Sequence, residues 1–276
     1  MPLVQCGEIK IEYHIEGDGP PLLMLRGLGG QASTWGEPLL SGLRDNFTVI
    51  RMNHRGVGLS ELPNEPFTMQ TMAADAATLL EALDIDRAHV LSVSMGGMVA
   101  QELVLNHPES VNGLILGCTL PGGPNAVIAS PEITVLLLPD QSLSRADQAR
   151  RSWGAITTQA MIDDGVFLEE MLRIGLEVPT PPEVIGQQVA AVQGFDAYDR
   201  LPSIKHPTLI IHGDADILVP AENGRILHER IPGSTLEIIP GGAHMFFWEQ
   251  PVLTARIVVD FLTSVGSREI VKAPKR

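Results

Sequence analysis

Cysteine is nearly absent: Cys6 and Cys118 are the two in 276 residues. They fall in segments that read as different strands, so no disulfide framework is implied, and two thiols suit a reducing compartment. Basic residues are scarce beside acidic ones. Lys and Arg number 19 against 33 Asp and Glu, a formal charge of −14. That balance argues against nucleic acid and anionic membrane surfaces, both of which want basic patches. No apolar run reaches the roughly 20 residues that span a bilayer. The stretch Met1–Glu8 lacks the basic-then-apolar order of a secretory leader. No H-x-x-x-H, C-x-x-C or similar ligand spacing occurs, so no metal and no other cofactor is expected. The expectation is a cytoplasmic protein whose partner is a small molecule. The sequence carries no signal of oligomeric state.

What is present is apolar bulk in a regular rhythm. Hydrophobic residues make up 44%, enough for one large α/β domain rather than two small ones. Residues 2–16 read as a hairpin, with strict alternation over Ile9–Ile15. Pro21–Leu25 is wholly apolar, the pattern of a buried parallel strand, and runs into Arg26-Gly27-Leu28-Gly29-Gly30. The pattern predicts a helix over 35–43, a strand over 47–52, a helix over 68–83, a strand over 87–90 and a helix over 98–105. Another strand is expected over 111–117. From Pro121 to about Ser203 the alternation stops, and helical pattern broken by proline replaces it. It resumes with strands over 207–212 and 235–239 and helices over 221–229 and 250–263. The expected organisation is a mostly parallel, twisted α/β sheet with helices on both faces. Its core would be residues 1–120 and 204–265, with a helical cap of 121–203 and a flexible tail of 266–276.

The chain is organised around Leu91-Ser92-Val93-Ser94-Met95-Gly96-Gly97. A serine on a sharp strand-to-helix turn needs small residues two before and two after it. Here those are Ser92 and Gly96. A serine hydroxyl is a poor nucleophile unless a base lies within reach, and the base needs an orienting acid. Past the helical segment, His212-Gly213-Asp214-Ala215-Asp216 leaves a strand end with two carboxylates. After the last strand, Gly241-Gly242-Ala243-His244 puts a histidine in a loop. Both lie at strand carboxyl ends, where open α/β sheets bind ligands.

With these residues in view, the chain resembles the α/β-hydrolases over nearly its whole length. Within them it is most similar to the enol-lactonase and small carboxylesterase group. Gly27-Leu28-Gly29-Gly30 resembles the H-G-x-G-G oxyanion loop, Asn53–Ser60 the D-x-R-G-x-G-x-S segment, and Gly213–Asp216 the G-x-x-D that carries the acid. The resemblance implies Ser94 as nucleophile, Asp216 as acid, His244 as base, and the backbone N–H groups of Leu28 and Met95 as the oxyanion hole. It implies a serine hydrolase cleaving carboxylic esters or lactones through an acyl-enzyme, with the cap inserted after the sixth strand. Leu136, Leu137, Trp153, Met161, Phe167, Met171 and Phe195 are candidates to line that cap. Trp153, Met171 and Phe195 are its substrate-contact candidates. Three residues depart from the pattern: Arg26 for the usual His, Asn53 for Asp, and Ser92 for Gly. Arg26 reads as bonded within its own loop, and His89, His107, His206, His212 and His228 as structural; His54 is left open because its loop lies on the strand-end face. His244 is expected to titrate near an ordinary histidine, roughly 6–7.

Other readings compete. Gly27–Ala32 fits a loose G-x-G-x-x-A dinucleotide fingerprint, but the following strand ends in Met52-Asn53-His54, without the acid that holds a ribose. A carbon–carbon bond hydrolase of the same fold shares Ser-Met-Gly-Gly but usually has Asn where Val93 stands. A hydrolase-derived small-molecule receptor would keep the same residues with little turnover. The acidic balance favours neutral, mainly apolar substrates, with Arg26 and Arg173 the candidates for holding a substrate carboxylate.

Overall fold

The computed structural model describes residues 2–137, 140 and 142–271. Eight strands form one sheet: β1 (Leu3–Cys6), β2 (Ile9–Glu16), β3 (Pro21–Leu25), β4 (Thr48–Met52), β5 (Ala88–Val93), β6 (Val111–Gly117), β7 (Thr208–Gly213) and β8 (Thr235–Ile239). Their order across the sheet is β1-β2-β4-β3-β5-β6-β7-β8. The hairpin β1–β2 is antiparallel, and β2 runs antiparallel to β4. All pairs from β4 to β8 are parallel. Such a sheet needs cover on both faces, and two clusters supply it. One packs Met72, Leu79, Val99 and Leu103 against Leu23, Val90 and Leu114. The other packs Leu39, Leu43, Val258 and Leu262 against Leu22, Leu91 and Ile115.

The covering helices are α1 (Glu37–Arg44), α2 (Met69–Ala82) and α3 (Met95–Asn106). Thr68 opens α2 with a reciprocal cap: its hydroxyl accepts the Thr71 N–H, and the Thr71 hydroxyl accepts the Thr68 N–H. Among the described residues, five helices lie between β6 and β7: α4 (Pro131–Leu137), α5 (Arg145–Trp153), α6 (Gln159–Asp164), α7 (Val166–Glu177) and α8 (Pro182–Gln193). Then follow α9 (Glu222–Arg230), the short α10 (Phe246–Glu249) and α11 (Pro251–Val271). Several boundaries differ from the sequence reading; the helix after Ser94, for one, starts at Met95 and not Met98. The first helix starts at Glu37, not Trp35, because Gly36 has φ +83° and separates it from a 3₁₀ turn over Ala32–Trp35. The last helix runs to Val271, well past Thr263, so residues 266–271 are helical rather than part of a tail. Residues 272–276 of that tail lie outside the described residues.

Candidate active site

β5 is buried along its whole length and delivers Ser94 at its carboxyl end. Ser94 has φ 57° and ψ −127°, a conformation that persists only where surroundings enforce it. Its N–H donates to Gly117 O at 2.9 Å, and Thr119 Oγ1 donates to its carbonyl at 2.7 Å. Glycine is required two residues later: a Cβ on Gly96 would lie 2.3 Å from Leu25 O. The Gly27–Gly30 loop closes in from β3, so that a Cβ on Gly27 would sit 2.9 Å from Ser94 Cβ. Leu28 is in that loop. Met95 is the first residue of α3, where a backbone N–H has no partner within the helix and the helix dipole favours negative charge. Among the described residues, neither the Leu28 nor the Met95 N–H is engaged in a hydrogen bond.

His244 stands between β8 and α10 and is 6% exposed. Its Nδ1 donates to Asp216 Oδ2 at 2.8 Å, which in the neutral ring leaves Nε2 as the acceptor. Asp216 is buried, and its Oδ1 accepts the N–H groups of Leu218 at 3.0 Å and Val219 at 2.9 Å. Asp214 does different work: it is exposed and accepts the Gly241 N–H at 2.7 Å. Burial opposes ionisation of both members of the pair. The attraction and hydrogen bond between them outweigh it. Asp216 is held well below the usual carboxylate range, and His244 well above an ordinary histidine. The expected value of 6–7 for His244 is therefore too low. The Ser94 hydroxyl makes no hydrogen bond among the described residues; bonds of this kind tighten when substrate arrives.

Two further residues join this pair. His212 Nε2 donates to Val219 O at 2.7 Å and lies 3.5 Å from Asp216 Oδ2. Cys118, buried with φ 39°, brings its sulfur within 4.8 Å of donor atoms of Asp216 and His244. Thiol, carboxylate and imidazole are ligand types that zinc accepts. They come from three distant stretches, which is why a search for local ligand spacing misses the set. Of the cap candidates, Trp153 is buried, and Met161 and Met171 pack against the cluster that holds Met245 and Phe246. Phe195 is buried in the opposite cluster with Met95 and Met98. Leu136 is half-buried and Leu137 exposed; the side chain of Phe167 lies outside the described ones.

The family model for the alpha/beta hydrolase fold matches residues 20–164 and 171–251. The chain belongs to the alpha/beta hydrolase family. It is 29% identical to "Putative carbamate hydrolase RutD" of Caulobacter sp. (strain K31), over 94% of this chain and 98% of that one. Among solved structures, the enol-lactonase of Burkholderia xenovorans LB400 aligns with a TM-score of 0.83 and 26% identity, over 95% of this chain and all of that one. The esterase RhEst1 of Rhodococcus sp. ECU1013 shares the fold, with a TM-score of 0.83 and 24% identity over 95% and 98% of the two chains.

Where this alpha/beta hydrolase departs from the pattern of its family, neighbouring residues account for each change. Ser92 is wholly buried, and its hydroxyl donates to Ile115 O on β6 at 2.6 Å, so the extra polar group is satisfied. Asn53 faces the buried carboxylate of Glu12, to which its Nδ2 donates at 2.7 Å. An aspartate there would oppose two negative charges. Arg26 is not bonded within its loop, as the sequence suggested. Its side chain makes no hydrogen bond among the described residues; its guanidinium lies 5.2 Å from the Trp35 ring centre and 4.9 Å from that of Phe247. Arg173 is exposed and already paired with Glu170 and Glu177, at 2.9 and 3.0 Å. His54 Nε2 donates to Arg26 O at 3.1 Å, and burial pushes its pKa down to about 4, so it holds the loop as a neutral ring.

Proposed function

We propose that this alpha/beta hydrolase is a serine hydrolase of carboxylic esters or lactones, acting through an acyl-enzyme with Ser94, His244 and Asp216 as its triad. The observation that carries the reading is the buried His244–Asp216 hydrogen bond at 2.8 Å, beside a strained serine flanked by two unengaged N–H groups. His244 Nε2 takes the Ser94 proton as Oγ attacks the carbonyl carbon. The C=O electron pair moves onto oxygen, where the Leu28 and Met95 N–H groups meet it. Collapse of the tetrahedral intermediate expels the alkoxide, to which His244 returns the proton. Water then repeats the cycle on the acyl-enzyme. Residues 121–203 form a cap over this site, with Trp153 and Met171 as substrate contacts on its inner side. Phe195 serves the packing beneath.

A fluorophosphonate probe should attach to the peptide containing Ser94. Ser94→Ala should remove the label and lower kcat by roughly 10⁴–10⁶-fold. Labelling of another serine, or activity retained in Ser94→Ala, would overturn the reading.

A further inference from the structure

The two loops of the candidate site are not free-standing; both are tied to the helical insertion. On the oxyanion side, Gly29 is held through both its backbone groups. Its N–H donates to Gln188 Oε1 of α8 at 2.7 Å, and its carbonyl accepts from Thr180 Oγ1 at 3.1 Å. Two residues on, Gln31 Nε2 donates to Val178 O at 2.5 Å. Gly29 has φ +66°, and a Cβ there would lie 2.7 Å from Ile185 Cδ1, so α8 packs directly on the turn. Gln188 is fully buried. On the histidine side, Met245 N–H donates to Ile156 O at 2.9 Å. Glu249 gathers three donors: Ala243 N–H at 2.7 Å, Thr157 Oγ1 at 2.8 Å and Thr158 N–H at 2.8 Å.

We propose that the insertion is a fixed template for the catalytic loops rather than a swinging cover, with Gln188 the positioning residue of the oxyanion loop. The inference rests on the serine-hydrolase reading and adds what sets the geometry of its oxyanion hole. The Leu28 N–H belongs to the peptide immediately before the one Gln188 grips. A displacement of Gly29 therefore swings the Leu28 donor away from the developing oxyanion. The ground-state carbonyl carries less charge and is less affected. The loss falls on the transition state, because oxyanion donors act where charge develops and a misplacement near 1 Å is enough to matter. Glu249 plays the corresponding part for His244 by holding the N–H of the residue before it.

The test compares wild type with Gln188→Met, which keeps length and removes the acceptor, and with Thr180→Val, a smaller change at the carbonyl of the same residue. Three quantities are read: kcat and KM on a p-nitrophenyl ester, the rate constant of fluorophosphonate labelling, and the melting temperature. The expected result for Gln188→Met is a kcat at least tenfold lower, KM within about threefold, and labelling slowed in proportion. Thr180→Val should show the same pattern, smaller. If Gln188→Met fails to fold, Thr180→Val alone decides, with a kcat loss of at least threefold at unchanged KM expected. Folded variants with kcat and labelling within twofold of wild type, or a loss confined to KM, would overturn the proposal. Absence of labelling in wild type would instead overturn the serine-hydrolase reading, so the two failures are distinguishable.

Discussion

His244 and Asp216 each shift the other's proton affinity, and the direction has a kinetic consequence. A base must be neutral to accept the Ser94 proton. With its pKa raised well above 6.5 by the Asp216 carboxylate, the free enzyme holds the imidazole protonated at pH values where an ordinary histidine would be neutral. The acid limb of kcat/KM should therefore lie above 6.5, not at it. In Asp216→Asn the charge is gone while burial remains, and burial alone lowers a histidine pKa. The limb of that variant should move to lower pH, while kcat falls by about 10⁴-fold. A pH profile of both proteins checks the two directions at once; an unmoved limb in Asp216→Asn would remove the carboxylate as the cause. At this scale the sequence was legible where chemistry follows order along the chain. Ser94 and His244 could be picked out as candidates from turns and strand ends, and the resemblance to G-x-x-D chose Asp216 over Asp214. Cys118, Gln188 and Glu249 could not, because their meaning lies in contacts across 90 residues or more.

At the scale of elements, the loop after β4 is fastened to α2 by a buried ion pair. Arg55 Nε and an Nη donate to the two carboxylate oxygens of Asp75 at 2.8 and 2.7 Å, with the guanidinium over Phe67. Burial alone pushes the Asp75 carboxyl up; Arg55 pulls it back. Removing Arg55 strands that carboxylate, a loss of about 3–5 kcal/mol when both partners are buried. Arg55→Met should show such a loss in urea unfolding, and Arg55→Met/Asp75→Asn should recover part of it. Equal stability of the single and double variants would refute the argument. Most elements were predicted by hydrophobic period, since each strand and helix buries a face. Strand order was not: nothing local says that β4 lies between β2 and β3. The first helix was misplaced by two residues because Gly36 adopts a positive φ that no pattern of apolar residues reveals.

For the whole molecule the summed charge of −14 acts on whatever approaches. Arg173 is occupied by Glu170 and Glu177, and Arg26 is buried against the neighbouring rings of Trp35 and Phe247, so neither stands open as a carboxylate clamp. A neutral ester or lactone should be turned over with higher kcat/KM than its ω-carboxylate analogue of equal length. The gap should narrow between 0.01 and 0.1 M salt, as the screening length drops from about 30 to about 10 Å. A carboxylate substrate tenfold faster than the neutral one would refute this. The same scale governs heat stability, and there the φ of 57° at Ser94 has its own result. A strained residue costs about 1–3 kcal/mol, whereas the extra chain entropy of glycine costs about 0.5–1 kcal/mol. Ser94→Gly should thus melt a few degrees above wild type, and Ser94→Ala, which keeps the Cβ, should not. An inert variant that outlasts its parent on heating would mean that the molecule's working life is shortened by the one residue it exists to present.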